Sequence, residues 1–428
     1  MALWIAIYCI LALIPYLRKK HSWIHYIWVL LPIQFYGITI GGVTLKPFMF
    51  FVAAIILFSA KKNKISGSFR ISGSFIQIFI YYAFAQIIVD CFNDSNLQSY
   101  MNQCLFLLVI VLAIVYCSTV NSREPEYRKM FEAIFDAGFS YALICIAAII
   151  IYSLKIDLPY IVAQTTKEPG FFVGYSTMLG KKWVYSCRFR GFTGDPNLLP
   201  VSFIVPCVTG YYLQHTGSNL IAKTEKIKFL ALLLLSFIII VFSDSRTGII
   251  VFTSAFIFSF SFIGKNKSIK TAFAILVGMA LFYITIRIGL IDTLLNSGRS
   301  SLLSDTGRVA IWKRAWDVLN EENLFLGIGT ARMVSSDYLG IYCHNTWLEW
   351  LCSDGIILGS IVTVFFLLFG FHQYRAKKMI DQEMAIALVI CYYCSFLALI
   401  TVDDLANVYL LLFMCLLFSF CPKNISKT

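Results

Sequence analysis

Apolar stretches close to the length of a membrane span follow one another through almost the whole chain of 428 residues. A helix needs about 20 consecutive apolar residues to cross the hydrocarbon core of a bilayer. Hydrophobic residues make up 59% of the sequence and charged residues 14%, whereas soluble domains contain roughly 45–50% apolar residues. The sequence therefore predicts an all-α, polytopic integral membrane protein with 12–13 transmembrane helices.

The predicted spans form one transmembrane domain over residues 1–428, because the segments between them are too short for a separate soluble domain. The first run has no basic residue before it and no cleavage site after it, so we interpret it as a retained span. The number of spans falls to 12 if this run does not cross. The runs lie near residues 2–17, 23–40, 44–60, 73–92, 99–120, 131–154, 197–213, 228–243, 247–264, 271–290, 346–370, 384–400 and 405–420.

Lysines and arginines cluster after every second run. Of the 35 basic residues, 21 lie in these clusters, and basic loops of membrane proteins face the cytoplasm. This rule places the N-terminus outside and the C-terminus inside. It also places the two long loops, 155–196 and 291–345, on the outer face. Membrane orientation accounts for the net charge of +12, so no nucleic-acid partner is expected.

The large outer loop 291–345 contains one predicted amphipathic helix. Apolar residues recur at intervals of three and four between 309 and 319, which is the spacing of one helix face. Asp305 or Thr306 could cap its start. Trp312 and Trp316 on this helix suit the interface between bilayer and water.

Arginines in or beside the outward loops are candidate ligands for a diphosphate, because the planar guanidinium matches phosphate oxygens. Arg246 is the most informative, since a cation at a span boundary is costly unless it is paired or opens onto water. Snorkelling, or a pair with Asp244, is the alternative for Arg246. A solvated helix face is the alternative for Arg308 and Arg314. The candidate set is Arg190, Arg246, Arg308 and Arg314.

His344 is the candidate general base. A neutral imidazole can accept a proton from an attacking hydroxyl near neutral pH, although an isolated histidine at a helix start is often structural. Glu349 and Asp354 are alternative catalytic carboxylates, and Asp195 is a further one. These carboxylates could instead orient other groups or pair with arginines.

Asn197 and Asn345 are candidate supporting residues together with Asp195. The segment 188–197 is rich in turn-forming residues and leads into a span. Asn345 follows His344 at the start of another span. Side chains at these positions can shape the turns next to the candidate charged residues at the starts of the two spans.

The cysteines indicate no metal site and no cofactor. Most of the 13 lie in apolar runs, where a thiol behaves as a small hydrophobic group. Cys391 and Cys394 lie three residues apart without further ligands nearby. Cys187 and Cys343 fall in the outer loops, where a disulfide could join them, although two unrelated thiols are the simpler interpretation.

Several short motifs follow one another between about residues 190 and 360. They are Ser245-Arg246-Thr247-Gly248, Gly307-Arg308 with Ile311-Trp312, Gly327-Ile328-Gly329, His344-Asn345-Thr346-Trp347-Leu348, Asp354-Gly355 and Gly359. This ordered set, together with the large outer loop just before the His-Asn span, resembles the O-antigen ligase and O-antigen polymerase superfamily of bacterial envelope glycosyltransferases. One position departs from the family pattern, since Ser353 stands where a glutamate is frequent.

The resemblance implies a metal-independent glycosyltransferase with a GT-C-like helical fold in the bacterial cytoplasmic (inner) membrane. Its site would face the periplasm or cell exterior and use an undecaprenyl-diphosphate-linked glycan as donor. By resemblance, Arg246 and Arg308 would bind the diphosphate and His344 would be the base. Membrane lipids and a chain-length regulator are the other implied partners.

The acceptor divides the possible functions. A polymerase joins lipid-linked repeat units into O-antigen or capsular polysaccharide, whereas a ligase transfers the glycan to lipid A core, or a related enzyme to protein. The looseness of the motifs favours the polymerase. A lipid-linked oligosaccharide flippase is the competing class, but the charges concentrate on one face and not along the middle of several spans.

Overall fold

The computed structural model is mostly helical. It describes residues 1–61 except 20, 34, 35, 41 and 42, isolated positions between 84 and 116, residues 127–216 except 164, 166, 167, 180 and 181, and residues 223–264, 308–329 except 323, 339–340, 343–376 and 382–398. The predicted spans 271–290 and 405–420, and much of 73–92 and 99–120, lie outside these residues.

Helices form most of the described chain. They are α1 Ala2–Arg18, α2 Ile27–Leu30, α3 Pro47–Lys61, α4 Tyr127–Ser153, α5 Leu199–Thr216, α6 Lys223–Phe242, α7 Arg246–Phe262, α8 Arg308–Glu321, α9 Thr346–Ala376 and α10 Gln382–Ala398. A 3₁₀ helix, Trp23–Tyr26, precedes α2. The strands are β1 Ile38–Ile40, β2 Val43–Leu45, β3 Val162–Ala163, β4 Phe172–Leu179 and β5 Lys182–Phe189.

Two of the described helices are long and apolar enough to cross a membrane. They cover Arg128–Ser153, with a mean hydropathy of 2.2, and Thr346–Phe371, with 2.1. Both coincide with predicted spans. Shorter apolar helices cover Ala2–Arg18, Thr247–Phe262 and Gln382–Ala398, where spans were also predicted.

The predicted span 23–40 is wrong as a single helix. The 3₁₀ helix and α2 end by Leu30, and β1 then pairs with β2 in an antiparallel hairpin that matches Ile38 with Leu45. Gly37 lies at the base of this hairpin, where an added Cβ would come 2.4 Å from the Leu45 carbonyl oxygen. The apolar composition of this segment therefore did not determine the element type.

The chain forms two compact units. Unit 1 comprises Met1–Tyr36, Lys46–Phe48 and Pro125–Ser304, and unit 2 comprises Gly37–Leu45, Met49–Glu124 and Asp305–Thr428. Each unit has its own set of packed helices.

Unit 1 is built around α4, which packs against α1, α5 and α6, while α5 also packs against α7. Small residues allow these helices to approach closely. A Cβ added at Gly138 of α4 would lie 2.2 Å from the Pro206 Cβ of α5, and one at Gly210 would lie 2.7 Å from the Phe135 ring. Such close helix contact is typical of packing inside a bilayer.

A charged cluster joins three elements of unit 1. The Asp136 carboxylate on α4 is fully buried and binds Lys228 of α6, the Lys19 ammonium at 3.1 Å and His21 Nε2 at 2.9 Å. Lys19 also lies 3.0 Å from Glu225. Burial lowers the pKa of Lys19, but the Asp136 and Glu225 carboxylates raise it by more than burial lowers it. The pKa of Lys19 therefore lies above its ordinary value.

A three-stranded sheet occupies the segment predicted as the outer loop 155–196. β3 pairs in parallel with β4, and β4 pairs antiparallel with β5 from Phe172–Phe189 to Leu179–Lys182. Phe192 stacks on Tyr141 of α4 and contacts Phe171, which in turn stacks on Phe189 of β5, so this chain of rings attaches the sheet to the helices. No strand was predicted here, so the all-α assignment is corrected for this segment.

Unit 2 contains the predicted amphipathic helix and the His-Asn helix. α8 packs against α9, and α9 packs against α10. A small buried cluster of Ala315, Ile328, Leu339, Cys343 and Cys352 joins α8, the following loop and α9. The prediction of a helix over 309–319 is confirmed by α8, whereas the predicted caps at 305 and 306 lie outside the described residues.

Candidate active site

The sharp corner between α6 and α7 presents the first candidate arginine. Asp244 adopts a φ of +49°, a left-handed conformation that is costly for residues with a Cβ. Ser245 then caps α7, since its Oγ accepts a hydrogen bond from the Gly248 N–H at 3.1 Å. Arg246 is therefore the first residue of α7. Its side chain lies outside the described part of the structure.

A polar network from the preceding segment stabilises this corner. Arg188 donates to the Ser243 carbonyl at 3.0 Å, to the Asp244 carbonyl at 3.2 Å and to Asn197 Oδ1 at 3.3 Å. The Ser245 hydroxyl donates to the same Asn197 oxygen at 3.0 Å. Arg188, Asn197 and the helix cap thus form one connected network. Asn197 thus contributes to the corner before Arg246, and its role in a site stays a prediction.

Arg190 and Asp195 stabilise the loop itself. Arg190 is 1% exposed, and its guanidinium donates to the carbonyls of Gly170 at 3.1 Å, Gly194 at 3.4 Å and Glu168. Asp195 Oδ1 accepts from the Asn197 N–H at 2.6 Å in a local turn. Backbone carbonyls thus surround the buried Arg190 guanidinium, and its assignment to the diphosphate stays a prediction.

His344 lies immediately before α9 in a strained conformation. Its φ is +51°, and such left-handed backbone costs a non-glycine residue roughly 1–2 kcal/mol. Asn345 follows as the helix cap, and its Oδ1 accepts from the N–H groups of Trp347 at 3.1 Å and Leu348 at 3.3 Å. The His344 side chain is partly exposed. Strained residues are often found at functional sites.

Cys343, the residue before His344, is bound on both sides. Its carbonyl oxygen accepts from Trp312 Nε1 of α8 at 2.9 Å, and its N–H donates to Glu349 Oε1 of α9 at 3.0 Å. Glu349 is 7% exposed and Cys343 is fully buried. Glu349, predicted as a catalytic alternative, therefore contacts backbone next to His344.

Asp354 lies beside a break in α9. Gly355 has φ +76° and ψ +171° inside the helix, and residues 324–329 pack into this break. The Ile328 and Gly329 N–H groups donate to the Cys352 and Ser353 carbonyls at 2.8 and 3.0 Å. Asp354 is 2% exposed at this position. The glycines of the predicted Gly-Ile-Gly motif thus have a structural explanation, since Gly327 and Gly329 also adopt positive φ.

The remaining predicted arginines lie on α8. Arg308 is its first residue, and its side chain lies outside the described part of the structure. Arg314 is exposed on the same helix, as expected for a solvated face. Arg246 and Arg308 therefore each begin a helix, where free N–H groups and the helix dipole favour anions.

The observed contacts of two further residues, Arg188 and Trp312, were not predicted. Arg188 belongs to the same turn-rich segment as Arg190, and nothing in the sequence distinguishes which of the two contacts the corner. Trp312 was assigned to the membrane interface, whereas its indole N–H binds the Cys343 carbonyl. The i, i+3 spacing of apolar residues in α8 identifies the buried face of this helix, but it does not show which segment packs against that face. Cys187 and Cys343, considered for a disulfide, each lack an S–S bond in the structure.

Residues 231–363 match the family model described as O-antigen ligase. The match covers less than half of the chain and includes the α6–α7 corner, α8 and the start of α9. It confirms the resemblance to the O-antigen ligase and O-antigen polymerase superfamily, whose members are glycosyltransferase-like enzymes of bacterial membranes. No curated protein sequence matches the chain.

Proposed function

We propose that this protein is a multi-pass glycosyltransferase of the bacterial cytoplasmic membrane that polymerises polyprenyl-diphosphate-linked oligosaccharide repeat units on the outer face. The family match over residues 231–363 carries the proposal. That segment contains Arg246, Arg308 and His344, the three residues to which the proposal assigns roles. The proposal assigns Arg246 and Arg308 to the donor and His344 to the acceptor.

The arginines would bind the diphosphate of the donor. Arg246 and Arg308 each begin a helix, so guanidinium and helix N-terminus would attract the same anion. Negative charge grows on the diphosphate as it leaves, and fixed cations stabilise that charge most in a site shielded from water. The arginines would supply this stabilisation in the place of a metal ion.

His344 would act on the acceptor. The acceptor hydroxyl oxygen forms a bond to the anomeric carbon of the donor sugar, and the bond from that carbon to the phosphate oxygen breaks. The hydroxyl proton passes to an imidazole nitrogen of His344, and polyprenyl diphosphate leaves with the bonding electrons. Partial exposure of His344 leaves room for an acceptor to approach.

The first prediction tests these roles with purified protein and a polyprenyl-diphosphate-linked repeat unit. His344→Ala should lower turnover by about 10²–10⁴-fold, the usual contribution of a general base. Arg246→Ala and Arg308→Ala should also lower turnover, because each removes stabilisation of the leaving group. Product length on gels and released polyprenyl diphosphate are the measurements.

Matched controls separate chemistry from folding. His215 lies at the C-terminal end of α5, and Arg128 is half exposed and paired with Glu132. His215→Ala and Arg128→Ala should keep wild-type turnover. Wild-type rates in His344→Ala, or in both arginine variants, would contradict the proposed mechanism.

The family description favours one second candidate, an O-antigen ligase. Both reactions use the same donor chemistry and differ only in the acceptor. Offering the purified protein either a second lipid-linked repeat unit or lipid A core distinguishes them. Transfer to lipid A core alone would assign the ligase function and overturn the polymerase.

A further inference from the structure

We propose that Glu349 and Trp312 are positioning residues, which hold His344 in its reactive orientation through the peptide groups of Cys343. This inference rests on the proposed function, because it concerns the base of that reaction. It assigns Glu349 a role as hydrogen-bond acceptor, and not as a proton-transferring carboxylate.

The contacts around Cys343 carry this inference. Trp312 Nε1 donates to the Cys343 carbonyl at 2.9 Å, so α8 holds the peptide that joins Cys343 to His344. Glu349 Oε1 accepts from the Cys343 N–H at 3.0 Å, so α9 holds the preceding peptide. The Cys343 side chain is fully buried in the cluster with Ala315 and Cys352. Cys343 is therefore fixed by both backbone groups and by its side chain.

The backbone on the other side of His344 is fixed as well. Asn345 Oδ1 caps α9 through the N–H groups of Trp347 and Leu348. His344 lies between these two fixed residues with a φ of +51°, a conformation that residues with a Cβ adopt only when their surroundings enforce it. The hydrogen bonds of Trp312 and Glu349 to the Cys343 backbone supply that constraint. It directs the imidazole while leaving the ring partly exposed.

Charge is not needed for this role of Glu349. A backbone N–H requires an acceptor oxygen, and the side-chain carbonyl of glutamine supplies one with the same geometry. A general base, by contrast, requires the ionised carboxylate. The two roles therefore respond differently to replacement of Glu349 by glutamine.

The decisive comparison is between Glu349→Gln and Glu349→Ala in the full-length protein, with kcat and KM measured for the lipid-linked donor. Glu349→Gln should keep a kcat close to wild type. Glu349→Ala should lower kcat by about 10²-fold, the cost of a misplaced catalytic group, with little change in KM for the donor. If Glu349→Gln is as slow as Glu349→Ala, the carboxylate acts chemically and the inference is overturned.

A second variant, in α8, tests the other hydrogen bond to Cys343. It keeps the inference testable if Glu349→Ala does not fold. Trp312→Phe keeps an aromatic side chain but removes the indole N–H that donates to the Cys343 carbonyl. It should lower kcat in the same direction as Glu349→Ala, whereas Trp316→Phe should not, because Trp316 is exposed on the same helix. Equal kcat in Trp312→Phe and wild type would overturn the assignment of Trp312.

Combining Glu349→Ala with His344→Ala shows whether Glu349 acts through His344 or independently of it. Residues that act through His344 lose their effect once its side chain is gone. The double variant Glu349→Ala/His344→Ala should therefore have the kcat of His344→Ala alone, and a further loss of kcat would overturn the inference. If His344→Ala alone retains full activity, the proposed base fails and the positioning inference fails with it. If His344→Ala is impaired but Glu349→Gln is equally impaired, only the positioning inference fails.

Discussion

Arg188 and Arg190 lie two positions apart in the sequence, yet they stabilise different parts of unit 1. Arg188 binds the carbonyls at the end of α6 and thereby supports the corner before Arg246. Arg190 binds carbonyls of the loop at Gly170 and Gly194. Each guanidinium offers several donors in a fixed fork. The same residue type therefore joins different segments according to which carbonyls it meets.

We expect Arg188→Gln to destabilise the protein. The change removes donors from the Ser243 and Asp244 carbonyls inside a buried region, and an unsatisfied buried acceptor costs about 1–3 kcal/mol. The midpoint of thermal unfolding in detergent measures the effect. Arg128→Gln serves as the control, because an exposed i, i+4 pair contributes only about 0.3–0.5 kcal/mol. An equal midpoint in both variants would show that the Arg188 network adds no stability.

The candidate site was only partly predictable at this scale. The motifs predicted Asn197 and Asn345 as supporting residues of the site, which stays a prediction, and the structure shows that both side chains accept hydrogen bonds beside a helix start. The motifs also indicated Arg190, whose buried contacts with Gly170 and Gly194 no pattern could reveal. Contacts between distant segments, such as Trp312 with Cys343, depend on packing that is absent from local spacing.

At the scale of single elements, apolar length predicted helices well and strands poorly. The run 131–154 became α4, and the run 384–400 became α10. β4 and β5, however, contain aromatic and β-branched residues on either side of residues 180–181, which is a hairpin signal. Hydropathy averaged over the length of a membrane span does not reveal such a signal, because a strand is shorter than a span.

The break in α9 leads to a prediction about Gly355. Its φ of +76° is unfavourable for any residue with a Cβ, and an added Cβ would lie 2.0 Å from the Phe325 carbonyl oxygen. Gly355→Ala should therefore lower the yield of folded protein sharply and destabilise it by more than about 1 kcal/mol. Gly370→Ala in the same helix is the milder comparison, because Gly370 has no positive φ and its new Cβ would lie 2.9 Å from a side-chain ring, that of Tyr392, and not against backbone. Size-exclusion chromatography and thermal unfolding measure both variants, and equal behaviour would mean that the break is not required.

At the scale of the whole molecule, two ion pairs of unit 1 bear on the predicted orientation. The basic clusters after the first run and at the start of α6 were both predicted to be cytoplasmic. Lys19 and Lys228, one from each cluster, bind the same carboxylate of Asp136, so these two clusters lie together at one end of the helices. α6 runs over 20 residues from Lys223 to Phe242, a length of about 30 Å at 1.5 Å per residue. That length matches the hydrocarbon core, which is about 30 Å thick.

This arrangement predicts which positions reagents can reach from outside intact cells. Lys226 is exposed at the start of α6, beside the Asp136 cluster, and Asp157 is exposed just after the other end of α4. A membrane-impermeant thiol reagent should therefore label Asp157→Cys and leave Lys226→Cys unlabelled until the membrane is opened. Ser335 and Lys167, which lie outside the described residues, should be labelled from outside as cysteine variants. The exposed native thiols Cys91 and Cys104 are first replaced by serine, so that background labelling is low. Labelling of Lys226→Cys in intact cells would reverse the orientation and place Arg246 on the cytoplasmic side, away from the proposed donor.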